Sequence, residues 1–189
     1  MSEHFERALS HTIKVEGGFS DDPADSGGAT RFGVTEAVAR RYGYDGPMKE
    51  MPLEVAKAIY RAGYWDPLKL AAIASLSPPV AYEMFDAAVN TSPPGGPFQP
   101  ARWFQRALNA LNDGARRYPD VEVDGQIGPQ SLGAFREYSV WRGKPGERVM
   151  VALLNALQGV YYMELSERRP KDERFVYGWL LQRVVERAA

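Results

Sequence analysis

The sequence predicts a mainly α-helical protein with one small β-hairpin near its N-terminus. Apolar residues recur at three- to four-residue intervals along most of the 189 residues, which is the period of amphipathic helices. The exception is an acidic, glycine-rich stretch at residues 15–35, VEGGFSDDPADSGGATRFGVT, in which turn residues separate short strand-like pieces. No internal repeat is visible, so the sequence does not indicate a solenoid or a propeller.

Local signals place the ends of the predicted helices. The first helix, FERALSHTIKVE, ends at the Gly-Gly pair of residues 17–18. A second, EAVARRYG, begins after Thr35, a capping residue, and ends at Gly43. Pro52 begins a third helix, and the Pro-Pro pair at 78–79 begins a fourth, VAYEMFDAAVN. The later predicted helices are ARWFQRALNALN, PQSLGAFREYSVW, RVMVALLNALQGVYYMELSERR and FVYGWLLQRVVERA.

The densest proline and glycine stretch, SPPGGPFQP at residues 92–100, is the predicted boundary between two lobes. We expect a first lobe at 1–91 and a second, helical lobe at 101–189. Because the connection is too short for a free linker, the two lobes are expected to pack against each other.

Composition excludes several classes of function. Hydrophobic residues make up 44% and charged residues 25% of the chain, as in soluble globular proteins, and no apolar run is long enough for membrane insertion. The absence of cysteine excludes disulfides, thiolate zinc sites and cysteine nucleophiles. A net charge of −1 without a dense basic patch argues against nucleic-acid binding. Since phosphate-binding loops, dinucleotide fingerprints and metal-ligand spacings are missing, we expect neither a cofactor nor a metal.

A carboxylate lies where an apolar side chain is expected. On a helical wheel of the first predicted helix, Glu16 falls in the middle of the face formed by Phe5, Leu9 and Ile13. Burial there and the negative end of the helix both raise the pKa of a carboxyl group, which suits a general acid. The alternative is a structural role, in which Glu16 accepts hydrogen bonds from the following loop or pairs with Arg31.

Two further polar residues follow in the predicted hairpin. Asp25 lies nine residues after Glu16, and Thr30 lies five residues after Asp25. A hairpin folded over the helix end brings a carboxylate and a hydroxyl opposite Glu16, and two carboxylates in unlike environments serve glycoside hydrolysis. The alternative is that Asp25 shapes an Asx-turn and Thr30 is an ordinary strand residue.

The motif EGGF…DDPADSGGATRFGVT resembles the glycoside hydrolase family 108 N-acetylmuramidases, which are phage endolysins and secretion-associated lysozymes. That family carries Glu-Gly-Gly-aromatic followed by Asp-x-Gly-Gly-x-Thr-x-x-Gly-[Ile/Val]-Thr, which is matched here from Glu16 to Thr35. Phe19 stands where tyrosine is commoner. The resemblance continues through AIYRAGYWDP, MFDAAVN and FVYGWLLQRV, and WFQRALNALNDG…VDGQIGPQSLGAF resembles the peptidoglycan-binding region that follows the catalytic part.

The resemblance implies a lysozyme-like, two-lobed helical fold with a catalytic lobe at 1–91 and a peptidoglycan-binding lobe at 101–189. It implies a bacteriolytic hydrolase that cleaves the β-1,4 bond between N-acetylmuramic acid and N-acetylglucosamine. Glu16 is then the general acid. The order and spacing of Glu16, Asp25 and Thr30 also resemble those of the coliphage-type lysozymes, which implies that Asp25 and Thr30 hold or activate the water. Two alternatives stay open: a lytic transglycosylase that releases 1,6-anhydro products, and a non-catalytic cell-wall-binding protein.

The N-terminal residues, MSEHFERALSHTIK, are polar and acidic, whereas a signal peptide has a basic start and an apolar stretch. We therefore expect synthesis in the bacterial host cytoplasm without a signal peptide. The enzyme would then act in the periplasm or cell wall after holin-type or specialised release. The expected partner is peptidoglycan, and the expected oligomeric state is a monomer.

The remaining candidate substrate-binding residues are Gly28, Phe19, Arg31, Asp86, Asn90, Tyr118 and Tyr138. Asp86 and Asn90 are four residues apart on one helix face, where they line the cleft or, alternatively, form a buried pair that ties the lobes together. Tyr118 and Tyr138 flank the VDGQIGPQ segment as wall-contact residues. The candidate tryptophans for sugar stacking are Trp65, Trp103, Trp141 and Trp179, of which Trp103 and Trp179 lie in apolar patterns typical of the core.

Overall fold

The computed structural model describes residues 3–12, 18–20 and 28–185. Within these ranges the chain is mainly α-helical with one two-stranded antiparallel hairpin, so the fold class predicted from the sequence is confirmed. Each helix of the described residues is too short or too polar to cross a membrane.

The main helices are α1 (Glu3–Thr12), α2 (Glu36–Arg41), α3 (Leu53–Tyr60), α4 (Leu70–Ala74), α5 (Pro78–Thr91), α6 (Gln99–Ala110), α7 (Pro129–Arg168) and α8 (Glu173–Leu180). The hairpin strands are β1 (Thr30–Arg31) and β2 (Val34–Thr35). Short 3-10 helices lie at Met48–Glu50 and Pro170–Asp172, and π-helical turns at Arg61–Trp65 and Leu181–Val185.

Capping explains where two of these helices begin. The hydroxyl of Thr35 accepts a hydrogen bond from the backbone N–H of Val38 at 3.4 Å, as the sequence predicts for the start of α2. Ser77 caps α5 in the same way through the N–H of Val80. A helix start leaves N–H groups without backbone partners, and these hydroxyls satisfy one of them in each case.

The long helix α7 is interrupted at Gly143, whose φ of 55° and ψ of −146° are not helical. Two helical segments result, 129–142 and 144–168, which correspond to the two separate helices that the sequence predicts. Pro145 follows the break, where it cannot continue the hydrogen-bond ladder of the first segment. The hydroxyl of Tyr138 donates to the carbonyl of Gly146 at 2.7 Å and holds the two segments together across the break.

Aromatic rings fill the core on both sides of α5. On the N-terminal side, the ring of Phe5 packs edge-on against Trp65 at 5.5 Å and Phe85 at 6.1 Å. On the other side, Phe104 of α6 packs edge-on against Phe135 of α7 at 5.1 Å. These residues belong to one continuous core, so the parts of the chain before and after 92–100 share a hydrophobic interior.

The face of α1 that the helical wheel predicts is buried: Phe5, Leu9 and Thr12 are all nearly inaccessible to solvent. This face packs against α5, which also contacts α4, α6 and α7. The helix α5 is therefore the central element of the fold, since it carries contacts to both halves of the chain. The lobe boundary at 92–100 stays a prediction.

A polar cluster is buried where α5 meets the C-terminal part of the chain. Asp86 is fully buried, and its Oδ1 accepts a hydrogen bond from Nη1 of Arg183 at 2.5 Å. With its amide oriented to satisfy both neighbours, Asn155 of α7 donates to Glu83 Oε1 at 2.9 Å. Removing one partner of such a buried pair is strongly destabilising, so this cluster fixes the C-terminal π-helical turn to α5.

Candidate active site

The described parts of the predicted catalytic motif are residues 18–20 and the hairpin. Thr30 pairs with Thr35 and Arg31 with Val34, joined by a two-residue turn. Both turn residues have positive φ, 50° for Phe32 and 74° for Gly33, which is the conformation of a type I′ turn. This turn has the twist that a two-residue antiparallel hairpin requires, so it allows the short strands to pair.

A backbone bridge brings the two ends of the motif together. Ser20 N–H donates to the carbonyl of Thr30 at 2.9 Å, and Thr30 N–H donates to the carbonyl of Ser20 at 2.7 Å. The residues that follow the Glu-Gly-Gly sequence thus lie beside the strand that follows the Asp-x-Gly-Gly sequence. Glu16 and Asp25 themselves lie outside the described residues.

The candidate Thr30 is held by the loop before it. Its hydroxyl donates to the carbonyl of Gly28 at 3.2 Å, and Gly28 has a φ of 71°, which favours glycine. A hydroxyl has one proton to donate and two lone pairs that accept. Because the proton of Thr30 is directed at Gly28, its lone pairs are left to accept from a water or a sugar hydroxyl.

Two further candidates lie on this small sheet. Phe19 is 39% exposed, so an apolar ring face is accessible beside the bridge residue Ser20. The guanidinium of Arg31 lies over the ring of Phe32, 5.0 Å from its centroid. The Nε atom of Arg31 is buried and has no hydrogen-bond partner in the described part of the chain.

The hairpin covers a cavity of about 160 Å³ that reaches α3, the adjoining π-helical turn and α5. Its lining includes Gly33, Thr35, Tyr60, Tyr64, Val89 and Pro94. Tyr60 donates to the carbonyl of Phe32 at 3.1 Å and so anchors the turn, while Tyr64 donates to the carbonyl of Ser92 at 3.4 Å. The cavity therefore lies between the candidate hairpin and the helical part of the fold, beside the contact that Tyr60 makes with the turn.

The two tyrosines of this cavity act as neutral donors. Burial raises the pKa of Tyr60 to about 12 and also raises the pKa of Tyr64, to which the neighbouring phenols of Tyr60 and Tyr42 add. Neither residue was among the candidates from the sequence. The signal was their spacing of four residues in AIYRAGYWDP, which puts both on one face of a helix.

The pair Asp86 and Asn90 does not line a cleft in the way predicted. Asp86 is fully buried against Arg183, whereas Asn90 is exposed and its Nδ2 donates to the backbone carbonyl of Asp86 at 2.7 Å. A carboxylate without solvent access cannot meet a glycan, so the substrate-binding role of Asp86 is corrected. Asp86 instead forms a buried polar pair, which was the alternative, but its side-chain partner is Arg183 rather than Asn90.

The prediction that Tyr118 and Tyr138 contact the cell wall is also corrected. Both rings are buried, and both hydroxyls are taken by backbone carbonyls, of Leu108 at 2.9 Å and of Gly146 at 2.7 Å. A phenol satisfies its polar end with one main-chain hydrogen bond, which allows it to lie in the core. The structure thus gives these residues a packing role.

Two of the four tryptophans are buried and two are partly buried. Trp65 and Trp103 are buried, so neither is available for stacking on a sugar. Trp179 packs against Tyr162 at 5.4 Å and Phe175 at 5.9 Å between ring centroids. Trp141 is partly buried, with two arginines over its ring. Within the ranges that the structure describes, no group of three or more histidine, aspartate or glutamate side chains is placed to hold a metal ion.

Comparison with known families agrees with this arrangement. Residues 9–91 match the family model described as Glycosyl hydrolase 108, and residues 99–184 match the one described as Predicted Peptidoglycan domain. The chain joins a glycosyl hydrolase 108 region to a peptidoglycan domain. The resemblance that the motifs predict is therefore confirmed, and the chain is a glycoside hydrolase that acts on peptidoglycan.

A solved structure agrees over almost the whole length. The structure of Brucella abortus SagA is 26% identical, with a TM-score of 0.67, and the match covers 97% of this chain and 91% of that chain. A comparison with curated protein sequences found no match. Since the matched region at 9–91 spans Glu16, Asp25 and Thr30, all three catalytic candidates fall inside the glycosyl hydrolase region.

Proposed function

We propose that the chain is an N-acetylmuramidase of the lysozyme type, which hydrolyses the β-1,4 bond between N-acetylmuramic acid and N-acetylglucosamine. The observation that carries the proposal is the continuous motif from Glu16 to Thr35 inside the glycosyl hydrolase 108 match. The bridge between Ser20 and Thr30 supports it, because it brings the two described ends of the motif together.

In the proposed mechanism Glu16 gives its proton to the oxygen that links the two sugars. The bond from this oxygen to the anomeric carbon of muramic acid breaks, and positive charge develops on the muramic acid ring. Asp25 offsets this charge or takes a proton from the attacking water, whose oxygen forms the new bond to the anomeric carbon. The lone pairs of Thr30 are available to hold that water.

The separation of the two carboxyl groups determines the stereochemistry. An inverting enzyme needs room for water, about 6.5–9.5 Å between the carboxyls, whereas a retaining enzyme has about 5 Å. On the inverting course, Asp25 acts as the general base. The α-anomer is then the first product, which proton NMR during digestion detects; a β-anomer as the first product would contradict this assignment.

The decisive experiment is mass spectrometry of purified peptidoglycan digested with the wild type, Glu16→Gln and Asp25→Asn. The wild type is expected to release muropeptides with muramic acid at the reducing end, and Glu16→Gln is expected to lose this activity while it keeps its circular dichroism spectrum. Glu50→Gln is the matched control, because Glu50 is an exposed glutamate in the same region.

The other outcomes separate the alternatives. Anhydro-muropeptides would assign the chain to the lytic transglycosylases, and glucosamine at the new reducing ends would contradict the proposed bond. If folded wild type cleaves no glycan, the wall-binding alternative applies. Cleavage by Asp25→Asn at the wild-type rate would leave Asp25 only the role of a turn residue.

A further inference from the structure

An aromatic ring and two arginines form a positive patch in the second half of the chain. The guanidinium carbon of Arg142 lies 3.6 Å from the ring centroid of Trp141, and that of Arg117 lies 4.6 Å from it. Both arginines are exposed, whereas Trp141 is partly buried. We refer to Arg117, Trp141 and Arg142 as the Arg–Trp–Arg platform.

Two buried tyrosines hold the backbone beneath the platform. Tyr118, which follows Arg117, is anchored by its hydrogen bond to Leu108. Tyr138 lies one helical turn before Arg142 and is anchored by its hydrogen bond to the backbone on the far side of the α7 break. Since both anchors are buried, the backbone that carries the two arginines is held in place before a ligand arrives.

Neither arginine of the platform is neutralised by the protein. Among the described residues, neither guanidinium has an ion pair or a hydrogen bond to a protein acceptor. The carboxylate of Glu147, five residues beyond Arg142, is taken by Lys144 at 3.0 Å and by the hydroxyl of Ser77 at 2.7 Å. Two like charges beside one ring repel each other, and a bound anion relieves this repulsion.

Because both arginines of the platform are exposed, the donors of their guanidinium groups are accessible to a ligand. An arginine over an aromatic ring uses the face of its planar group, while the N–H groups point outward from the edge. A carboxylate binds such an edge through two parallel hydrogen bonds. Both arginines lie over the ring of Trp141, which was a candidate for sugar stacking, so this ring contacts cations rather than being free for a sugar.

We propose that the Arg–Trp–Arg platform binds carboxylate groups of the cell-wall polymer. The proposal rests on peptidoglycan being the substrate, since the platform lies inside the region matched by the peptidoglycan domain, residues 99–184. Peptidoglycan offers carboxylates from two sources, the peptide stems and the lactyl group of muramic acid that lacks a peptide. The platform gives the second half of the chain a charge-based contact to the wall, in addition to the catalytic residues proposed in the first half.

The test is calorimetric titration of the full-length wild type and of the double variant Arg117→Gln/Arg142→Gln. Three ligands are compared: the disaccharide N-acetylglucosaminyl-N-acetylmuramic acid with its peptide stem, the same disaccharide without peptide, and diacetylchitobiose, which has no carboxylate. None contains the bond that the proposed muramidase cleaves, so the result does not depend on catalysis. Arg116→Gln is the matched control, because Arg116 is a neighbouring arginine whose side chain is 79% exposed.

The double variant is expected to bind the stem-bearing ligand about tenfold more weakly than the wild type, as the loss of charge-assisted hydrogen bonds requires. Arg116→Gln is expected to bind like the wild type. A parallel loss for the peptide-free disaccharide would add the lactyl group as a second carboxylate source. The variant Arg117→Lys/Arg142→Lys keeps the charge without the planar edge. Its affinity for the stem-bearing ligand is expected to lie between that of the wild type and that of the glutamine double variant.

Three outcomes would overturn the proposal. The first is unchanged binding of both carboxylate ligands by the folded double variant. The second is an equal loss for diacetylchitobiose, because the platform would then recognise the sugar. The third is the absence of measurable binding of either carboxylate ligand to the wild type. Thermal unfolding of each variant, followed by circular dichroism, separates these outcomes from loss of the fold.

Discussion

The hairpin and the loop between α6 and α7 both depart from helical structure, but they are held in different ways. In the hairpin, residues 28–35, the main chain supplies most of the hydrogen bonds through the pairing of Thr30 with Thr35 and the bridge to Ser20. The α6–α7 loop, residues 111–128, contains no strand, and side chains of α6 fix its path. The contrast shows two physical solutions to the same problem, that of satisfying the polar groups of a non-helical backbone.

Three amides of α6 and the residues just after it bind the α6–α7 loop. Asn109 donates to the carbonyl of Val121 and accepts from its N–H, both at 2.8 Å, as a neighbouring strand would. Gln105 donates to Asp124 at 2.7 Å and accepts from the N–H of Gly125 at 2.8 Å. Asn112 donates to the carboxylate of Asp120 at 2.6 Å. The loop therefore depends on particular side chains, whereas the hairpin depends on backbone angles.

The substitution Gln105→Leu tests the dependence of the loop on amides and has the largest expected effect. It keeps the volume of a fully buried side chain but removes its hydrogen bonds to Asp124, Gly125 and Gln126. We expect the free energy of unfolding to fall by about 2–4 kcal/mol, measured by urea denaturation.

The matched control is Gln130→Leu, which makes the same change at an exposed helical position and should alter stability little. Equal effects of the two substitutions would show that the α6–α7 loop is held by packing alone. The contrast with the hairpin would then disappear, since neither segment would depend on particular side-chain amides.

The substitution Gly33→Ala tests the dependence of the hairpin on backbone angles. Alanine is disfavoured at the φ of 74°, and its Cβ would lie 2.6 Å from the hydroxyl of Tyr60. We expect a loss of about 2–3 kcal/mol, because the strain of positive φ adds to the displacement of the Tyr60 anchor.

Gly43→Ala separates the two causes, because Gly43 has a φ of 84° but no atom within 4 Å of the added Cβ. We expect it to cost only about 1 kcal/mol, the strain term alone. A loss for Gly33→Ala no larger than for Gly43→Ala would mean that Tyr60 does not anchor the turn. Both variants are compared by urea denaturation under the same conditions.

The sequence predicts the elements whose signals are local. The cap at Thr35 and the proline start of α5 both depend on neighbours within a few positions, which a sequence pattern contains. The face of α1 was predictable for the same reason, since helical periodicity determines which side chains share a side. The hairpin was predicted in the right part of the chain, but its turn at Phe32 and Gly33 was not. Fold class and the position of the hairpin follow from these signals.

Contacts between distant residues were not predictable in this way. Arg183 lies 97 residues from Asp86, so nothing near Asp86 distinguishes a buried ion pair from a cleft carboxylate. Tyr118 and Tyr138 have the same ambiguity, because a phenol suits a binding surface or a core equally until its acceptor is known. The role of the amides of α6 was not predicted, since their partners lie in a loop without a periodic pattern.

Each of the two segments is anchored by one tyrosine. The stability of the protein at alkaline pH tests both anchors. Burial raises the pKa of Tyr60, below the hairpin, and of Tyr118, below the α6–α7 loop, to about 12 from the ordinary value of 10. The folded state therefore keeps each phenol proton to a higher pH than the unfolded chain does. The free energy of unfolding is expected to fall as pH rises above 10, by at most about 1 kcal/mol per pH unit for each tyrosine.

Tyr60→Phe and Tyr118→Phe should each make this pH dependence shallower, and each should cost about 1 kcal/mol near neutral pH through the lost hydrogen bond. Urea denaturation between about pH 8 and 11 measures both quantities. Tyr177→Phe is the control, because Tyr177 is 78% exposed and should leave the pH dependence as it is. If only one of the two substitutions makes the pH dependence of the free energy of unfolding shallower, the segment of the other tyrosine opens before its phenol ionises.

The smallest expected effect on stability concerns Asp124, a carboxylate of the α6–α7 loop that is hydrogen-bonded to Gln105. The hydrogen bond from Gln105 and, next, that from the N–H of Gln126 lower the pKa of Asp124 below its ordinary value of 3.8. The stabilisation that the ionised Asp124 gives is therefore complete above pH 3.8, and it is lost as pH falls through the lower pKa of the folded state. Asp124→Asn should be less stable than the wild type at pH 7, with a difference that shrinks below about pH 4.

The exposed Asp45, changed to asparagine, serves as the control for Asp124→Asn in the same urea series. Because Gln105 is the main cause of the lowered pKa, the effect of Asp124→Asn on stability should also decrease in the Gln105→Leu background. An effect that is independent of both pH and Gln105 would mean that Asp124 stabilises the loop by its shape. In that case the amides of α6 would hold only the backbone, and the α6–α7 loop would resemble the hairpin more closely than its hydrogen bonds indicate.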